Sequence, residues 1–247
     1  MSTLNNKIIL LVGGATGIGR ATARLCAERG ATVVIADLVI EEGQKAAAET
    51  GGLFVTVNIT DEAQVAALAQ KVAETYGRVD VLIHTAGILQ GAFVSLDEFS
   101  AETFRRVWDV NVTGTFLTIK HITPLLKKAP RGVVILTSSG AATGGSSSFA
   151  YGSSKGGVNS FAITLTNRLE SEGIRVNVLS PGNIDTPMKR SVIAADAEKR
   201  GADGDRDHRF EQILAASKLG TPEGVAKILA FLASDDADYV RGVINTR

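Results

Sequence analysis

The sequence predicts an α/β fold: a doubly wound, mostly parallel sheet with helices on both faces. Three observations carry this. Apolar runs of strand length alternate along the chain with helical patterns, the order expected of stacked βαβ units. The runs are near-continuous in Val, Ile and Leu, so both faces of the sheet should be buried. A glycine-rich turn also joins the first strand to the first helix.

The elements follow in order. "KIILLV" (7–12) reads as the first strand, and "IILLV" is too short for a signal or membrane segment. The helix after it carries Ile18, Ala21, Leu25 and Cys26 on one face and should stop at Gly30. "TVVIAD" (32–37) is the second strand, followed by a helical "EEGQKAAAET" and a third strand, "LFVTVN" (53–58). A helix from Asp61 to Tyr76 has Asp61 as its N-cap. "VDVLIH" (79–84) is the fourth strand, and a long helical region containing Pro124 runs from about Asp97 to Lys128. "GVVILTS" (132–138), a helix from Tyr151 to Glu172, and "IRVNVLS" (174–180) come next, and the last helix spans about Pro222 to Ser234. The stretch "DAEKRGADGDRDHRFEQ" (196–212) is charged and carries glycine. It reads equally as a mobile lid or as a solvated loop.

Composition narrows the function. At 247 residues, 45% of them apolar, the chain can bury a sizeable core as one domain, 1–247. Lys+Arg and Asp+Glu both number 26, so nothing points to nucleic acid or an anionic membrane as a partner. A single cysteine, Cys26, excludes an intrachain disulfide and fits a cytoplasmic protein. The residue itself reads as a small core side chain. His84, His121 and His208 share no metal-ligand spacing with it, so no metal is expected.

Two motifs carry chemistry. In "VGGATGIG", glycines at 13, 17 and 19 allow a tight turn and close approach of a ligand to the backbone. The helix N-terminus behind them offers free N–H groups and a positive dipole end to a pyrophosphate. Asp37, eighteen residues past Gly19, ends the second strand. Its carboxylate can accept hydrogen bonds from both adenosine ribose hydroxyls and would repel a 2′-phosphate. Leu38 follows and no Arg or Lys stands beside it, so the cofactor is read as NAD rather than NADP. The second motif is "YGSSK". Tyr151 and Lys155 are one helical turn apart, so the ammonium can approach the phenol and favour phenolate, making Tyr151 a competent general acid/base. On spacing alone two solvent-facing residues would explain the pair as well. "LTSS" alters the balance, because it ends the fifth strand and brings serine hydroxyls to the sheet edge where ligands sit.

Together these motifs resemble the short-chain dehydrogenase/reductase family in its single-domain form, from about Lys7 to Gly242. The family's TGxxxGxG is "VGGATGIG", with Val12 in place of threonine. Its YxxxK is "YGSSK", its serine lies in "TSS", its asparagine is Asn111 of "NVTGTF", and its PG turn is "SPGNIDTPM". The resemblance implies a Rossmann-type sheet of seven strands and hydride transfer between NAD and a small-molecule secondary alcohol or ketone. It implies Tyr151 as the proton carrier, Lys155 lowering its pKa and binding the nicotinamide ribose, and Ser139 bonding the substrate carbonyl. Ser138 is the alternative serine, by its interval to the tyrosine. Asn111 would support a water-linked relay behind Lys155. The dinucleotide would lie along Gly13, Thr16, Gly17, Ile18 and Gly19, then Asp37, Leu38, Asn58 and Ile59. Beyond these come His84, Ala86 and Gly87, then Tyr151 and Lys155, and finally Pro181, Gly182, Ile184 and Thr186.

The chain departs from the family in three places. "HTAG" (84–87) replaces NNAG, so imidazole stands where an amide steadies the central strand. Asn58 stands where an Asp often meets the adenine amine, and its carbonyl can accept that bond. The sequence closes at "YVRGVINTR", where the family continues through a VDGG-like strand end that helps form subunit contacts. A homo-oligomer, dimer or tetramer, is implied. The substrate pocket is expected from Leu89–Phe93, the loop after Ser139, and a substrate loop at 188–216. Two other functions share some of these motifs. A non-catalytic dinucleotide sensor or scaffold can lose the Tyr/Lys pair or the serine, both kept here. An epimerase or dehydratase is usually longer, with a separate substrate domain.

Overall fold

The computed structural model describes residues 3–200 and 206–246. Its elements run β1 (Ile8–Val12), α1 (Gly17–Glu28), β2 (Thr32–Asp37), α2 (Ile40–Thr50), β3 (Leu53–Thr56), α3 (Glu62–Tyr76) and β4 (Val81–His84). They continue with α4 (Ala101–Trp108), α5 (Gly114–Leu126), β5 (Gly132–Thr137), α6 (Phe149–Leu169) and β6 (Ile174–Ser180). The chain closes with α7 (Pro187–Lys199), α8 (Arg206–Ala216), α9 (Pro222–Leu232) and β7 (Gly242–Asn245).

The strands form one sheet in the order β3-β2-β1-β4-β5-β6-β7, and every pairing is parallel. Strand burial follows from this order. The inner strands β1, β4 and β6 are buried at every position. In β1, Leu10 and Val12 pack on one face with α3, α5 and α6, while Ile9 and Leu11 pack on the other with α1 and α9. That two-sided burial is why the sequence shows apolar runs rather than alternation. The edge strands β3 and β7 are only partly covered. β1 lies between β2 and β4, so the chain reverses direction across the sheet there, and the reversal opens a crevice at the strands' carboxyl ends.

Local signals behave as their chemistry dictates. The Asp61 carboxylate accepts the Ala63 and Gln64 N–H groups at the start of α3. Gly30, just past α1, takes φ +91°. Cys26 is buried in α1, and burial pushes its thiol up to about 12, as expected of a core side chain. The helical region expected from Asp97 begins at Ala101, capped by Ser100, and divides into α4 and α5 around one π-helical turn, Asp109–Thr113. The charged stretch 196–212 differs from either sequence reading: residues 196–199 complete α7 and 206–212 open α8, while 201–205 fall outside the described residues. Among the described residues no helix is long and apolar enough to cross a membrane, and no cluster of His, Cys, Asp and Glu could hold a metal ion.

Candidate active site

The crevice is a cleft of about 1760 Å³ lined from the carboxyl ends of β1, β2, β4, β5 and β6 and from the start of α7. The glycine turn forms one wall. A Cβ on Gly13 would lie 2.4 Å from the Ala86 nitrogen, and one on Gly19 would lie 2.0 Å from the Gly13 carbonyl oxygen. These two glycines therefore let the turn close on itself and on the chain after β4. Gly17 differs: it has φ +52°, and the nearest atom to a Cβ there is Thr186 Cγ2 at 3.4 Å, across the cleft. Thr16 precedes α1 without a side-chain cap, and the first turn holds no acid, so its N–H groups remain for a ligand anion. A dinucleotide pyrophosphate fits this cradle. Thr85, which the motif reading missed, braces it by donating toward the Val12 and Gly13 carbonyls at 3.1 and 3.0 Å. A hydroxyl one residue beyond β4 was its only signal.

At the β2 end, the Asp37 carboxylate accepts the Ala15 and Val39 N–H groups at 2.9 and 3.0 Å. It caps the strand end and faces the cleft at once, and a carboxylate has lone pairs for further donors. Leu38 lines the cleft beside it, 63% exposed. Asn58 and Ile59 also line the cleft, but the role expected of Asn58 changes. Its Oδ1 already accepts the Thr60 N–H and hydroxyl at 3.1 and 2.9 Å, so both lone pairs are taken and only its amide N–H groups are left for an adenine.

His84 is also placed differently from expectation. It is buried in β4 and does not line the cleft, whereas Ala86 and Gly87 do. Its Nε2 has no hydrogen-bond partner. Burial, with the nearby Lys155 charge, pushes the imidazole down to about 3, so it is neutral.

The reacting corner is built on α6. Ser148 caps this helix by accepting the Tyr151 N–H at 3.3 Å, which sets Tyr151 in the first turn at the cleft. Lys155 is buried, donates to the Thr137 carbonyl at 2.8 Å, and lies 5.8 Å from the Tyr151 ring centroid. Burial pushes its ammonium down to about 8. The Tyr151 phenol is itself moved above the ordinary tyrosine value by burial, and a hydrogen bond with Ser139 acts the other way.

The two serines separate. Ser139 lines the cleft as Tyr151 does, while the Ser138 hydroxyl is buried and donates to the Lys155 carbonyl at 2.9 Å. Asn111 sits in the π turn. Its side chain accepts the Ile88 N–H at 2.8 Å and donates to the Ile88 carbonyl and to Ser154 Oγ at 3.0 and 2.9 Å. A Cβ on Gly87 would lie 3.1 Å from Asn111 Oδ1 and 3.2 Å from Lys155 Nζ, so Gly87 lets the chain pass between them. Pro181, Gly182, Ile184 and Thr186 line the cleft opposite the glycine turn, and Thr186 caps α7 by accepting the Lys189 N–H at 3.2 Å. Leu89, Phe93, Ser146, Ser147, Met188 and Val192 line its outer end.

Such a cleft defines a dinucleotide-binding oxidoreductase site, and comparison with known proteins places it further. The family model described as enoyl-(acyl carrier protein) reductase matches residues 13–246. Tropinone reductase-like 2 of Erythroxylum coca is 36% identical over 97% of this chain and 88% of its own. Cis-4-hydroxycyclohexanecarboxylate dehydrogenase of Sinomonas cyclohexanicum is 36% identical over 96% of this chain and 93% of its own. Among solved structures, levodione reductase superposes with a TM-score of 0.88 at 28% identity, covering 98% of this chain and 96% of that one. The chain belongs to the short-chain dehydrogenase/reductase family. It is an oxidoreductase that moves hydride between a nicotinamide cofactor and an alcohol or ketone.

Proposed function

We propose that the protein is an NAD-dependent dehydrogenase/reductase of secondary alcohols and ketones in which Tyr151 carries the proton. The observation that carries this is the convergence of the Ser139 hydroxyl, the Tyr151 phenol and Lys155 on one corner of a cleft whose far end holds Asp37. Bound nicotinamide supplies the hydride acceptor or donor. The remaining work falls to the chain. Ser139 holds the substrate oxygen beside the Tyr151 phenol, which takes a proton from an alcohol or gives one to a ketone. Lys155 has one of its three N–H groups on the Thr137 carbonyl, which leaves two for the nicotinamide ribose. Asn111 fixes the strand-to-helix chain at Ile88 and so supports the floor behind Lys155.

Asp37 supports NAD over NADP. Its two backbone partners leave room for ribose hydroxyls but not for a second negative group. The relatives named above as reductase and dehydrogenase, one of them acting on a hydroxylated ring acid, suggest a cyclic secondary alcohol or ketone. The α7–α8 segment, within 188–216, would cover it. Exposed Phe104, Phe116 and Phe149 on α4, α5 and α6 favour assembly with further copies of the chain, and the buried lone thiol of Cys26 suits a cytoplasmic setting. A panel of cyclic and acyclic secondary alcohols and ketones, followed by NADH absorbance, tests the reading. Turnover of at least one substrate with NAD preferred over NADP is expected; a preference for NADP would remove the cofactor assignment.

A further inference from the structure

Between α1 and α2 lies a charge cluster that the motifs do not include. The Arg20 guanidinium is held from both sides. Nε and Nη2 bond the Glu49 carboxylate at 3.2 and 2.5 Å, and Nη1 bonds Glu42 at 2.6 Å. Glu42 in turn accepts Lys45 at 2.8 Å, and Lys45 also donates to Glu41 at 2.9 Å. Both cations of the cluster are therefore engaged. The Arg20 side chain is 28% exposed, and those of Glu42 and Glu49 are 34% and 41% exposed.

The place of this clamp gives it a consequence. Arg20 follows Thr16 by one turn of α1, and Thr16 lines the cleft. Glu49 lies in the last turn of α2, so the clamp draws the guanidinium along α2 and away from the cleft, whereas a released side chain would lean toward the N-terminus of α1 and Thr16. Glu42 lies in the first turn of α2, four residues past Leu38, which also lines the cleft. Asp37 joins the two walls through the Ala15 N–H. A guanidinium released at this corner would be an ordinary ligand for a phosphate on the ribose 2′ oxygen. In the clamped state it offers no such fork.

We propose that Glu42 and Glu49 are positioning residues for cofactor choice: by clamping Arg20 they withhold its guanidinium from a ribose 2′-phosphate and reinforce the exclusion begun by Asp37. This rests on the NAD reading above and extends it from one carboxylate to a second layer. It follows that removing Asp37 alone gives only a partial gain in NADP binding, because the cation that could receive the phosphate stays occupied.

Calorimetric titration with NAD and with NADP, without substrate, tests this in five proteins. They are the parent, Asp37→Ser, Glu42→Gln/Glu49→Gln, the triple variant, and the triple variant with Arg20→Ala. The readout is the ratio of the two dissociation constants, and a cooperative melt verifies that each protein is folded. The triple variant should favour NADP by about tenfold more than Asp37→Ser, the scale of one added charge-assisted contact. Arg20→Ala should remove that increment. Equal ratios in the triple variant and Asp37→Ser would overturn the proposal, as would an increment that survives Arg20→Ala. A parent that binds NADP as tightly as NAD would instead overturn the NAD reading itself.

Discussion

The Ser139 hydroxyl and the Tyr151 phenol line the same cleft, while the neighbouring Ser138 hydroxyl is buried and donates to the Lys155 carbonyl. Adjacent residues on an extended chain point to opposite sides, so the two hydroxyls take unrelated tasks.

This separation predicts different failures. Ser139→Ala should lower kcat by about a hundredfold or more, the usual cost of losing a donor at the reacting oxygen, with little change in melting temperature. Ser138→Ala should cost about 0.5–1.5 kcal/mol of stability by removing a buried hydrogen bond to α6, with turnover largely kept. Steady-state kinetics beside denaturant melts distinguishes them, and the reverse pattern would exchange their roles.

The glycines of the turn also separate. Gly19→Ala places a Cβ 2.0 Å from the Gly13 carbonyl and should destabilise the fold by about 1–3 kcal/mol as well as weaken dinucleotide binding. Gly17→Ala meets nothing closer than 3.4 Å and has only its φ of +52° to satisfy, at a cost of about 1–2 kcal/mol. Its Cβ projects toward Thr186 across the cleft, so it should lose dinucleotide binding out of proportion to stability. Melting curves and NAD titration on both variants check this.

His84 makes stability depend on pH. Its folded pKa of about 3 lies below the unfolded value near 6.5, because burial and the Lys155 charge oppose protonation. Between those values the unfolded chain binds a proton that the folded one does not. The effect is absent above about pH 6.5, and stability is lost as pH falls through the window, by about 1.4 kcal/mol per unit. His84→Asn removes this linkage. Urea unfolding at pH 7 and pH 5 should show the parent losing about 1–2 kcal/mol more than the variant; equal losses would contradict the account.

Much of the fold could be read from the residues because the relevant forces are local or periodic. Two-sided burial of the inner strands gives apolar runs, and Asp61, Gly30 and the glycine turn mark element ends by their own chemistry. The site was legible where a helix turn or strand end fixes direction, as for Tyr151, Lys155 and Asp37. It was not legible where tertiary partners decide. The Asn58 oxygen is spent on Thr60, and His84 faces the core because of its register in β4. Burial raises the Tyr151 phenol above the ordinary tyrosine value, an effect no spacing reveals. The α7–α8 pair was hidden because charged residues and glycine read as loop, although residues 187–199 and 206–216 are helical.

The Tyr151 phenol, in the cleft with Ser139 and buried Lys155, is the proton carrier in the proposed reaction. The most direct measurement is Tyr151→Phe, which keeps the ring and removes only the hydroxyl, assayed on a substrate turned over by the parent. The account predicts turnover reduced by about a hundred- to ten-thousandfold, with NAD binding by titration retained. Turnover at the parent's rate would contradict it.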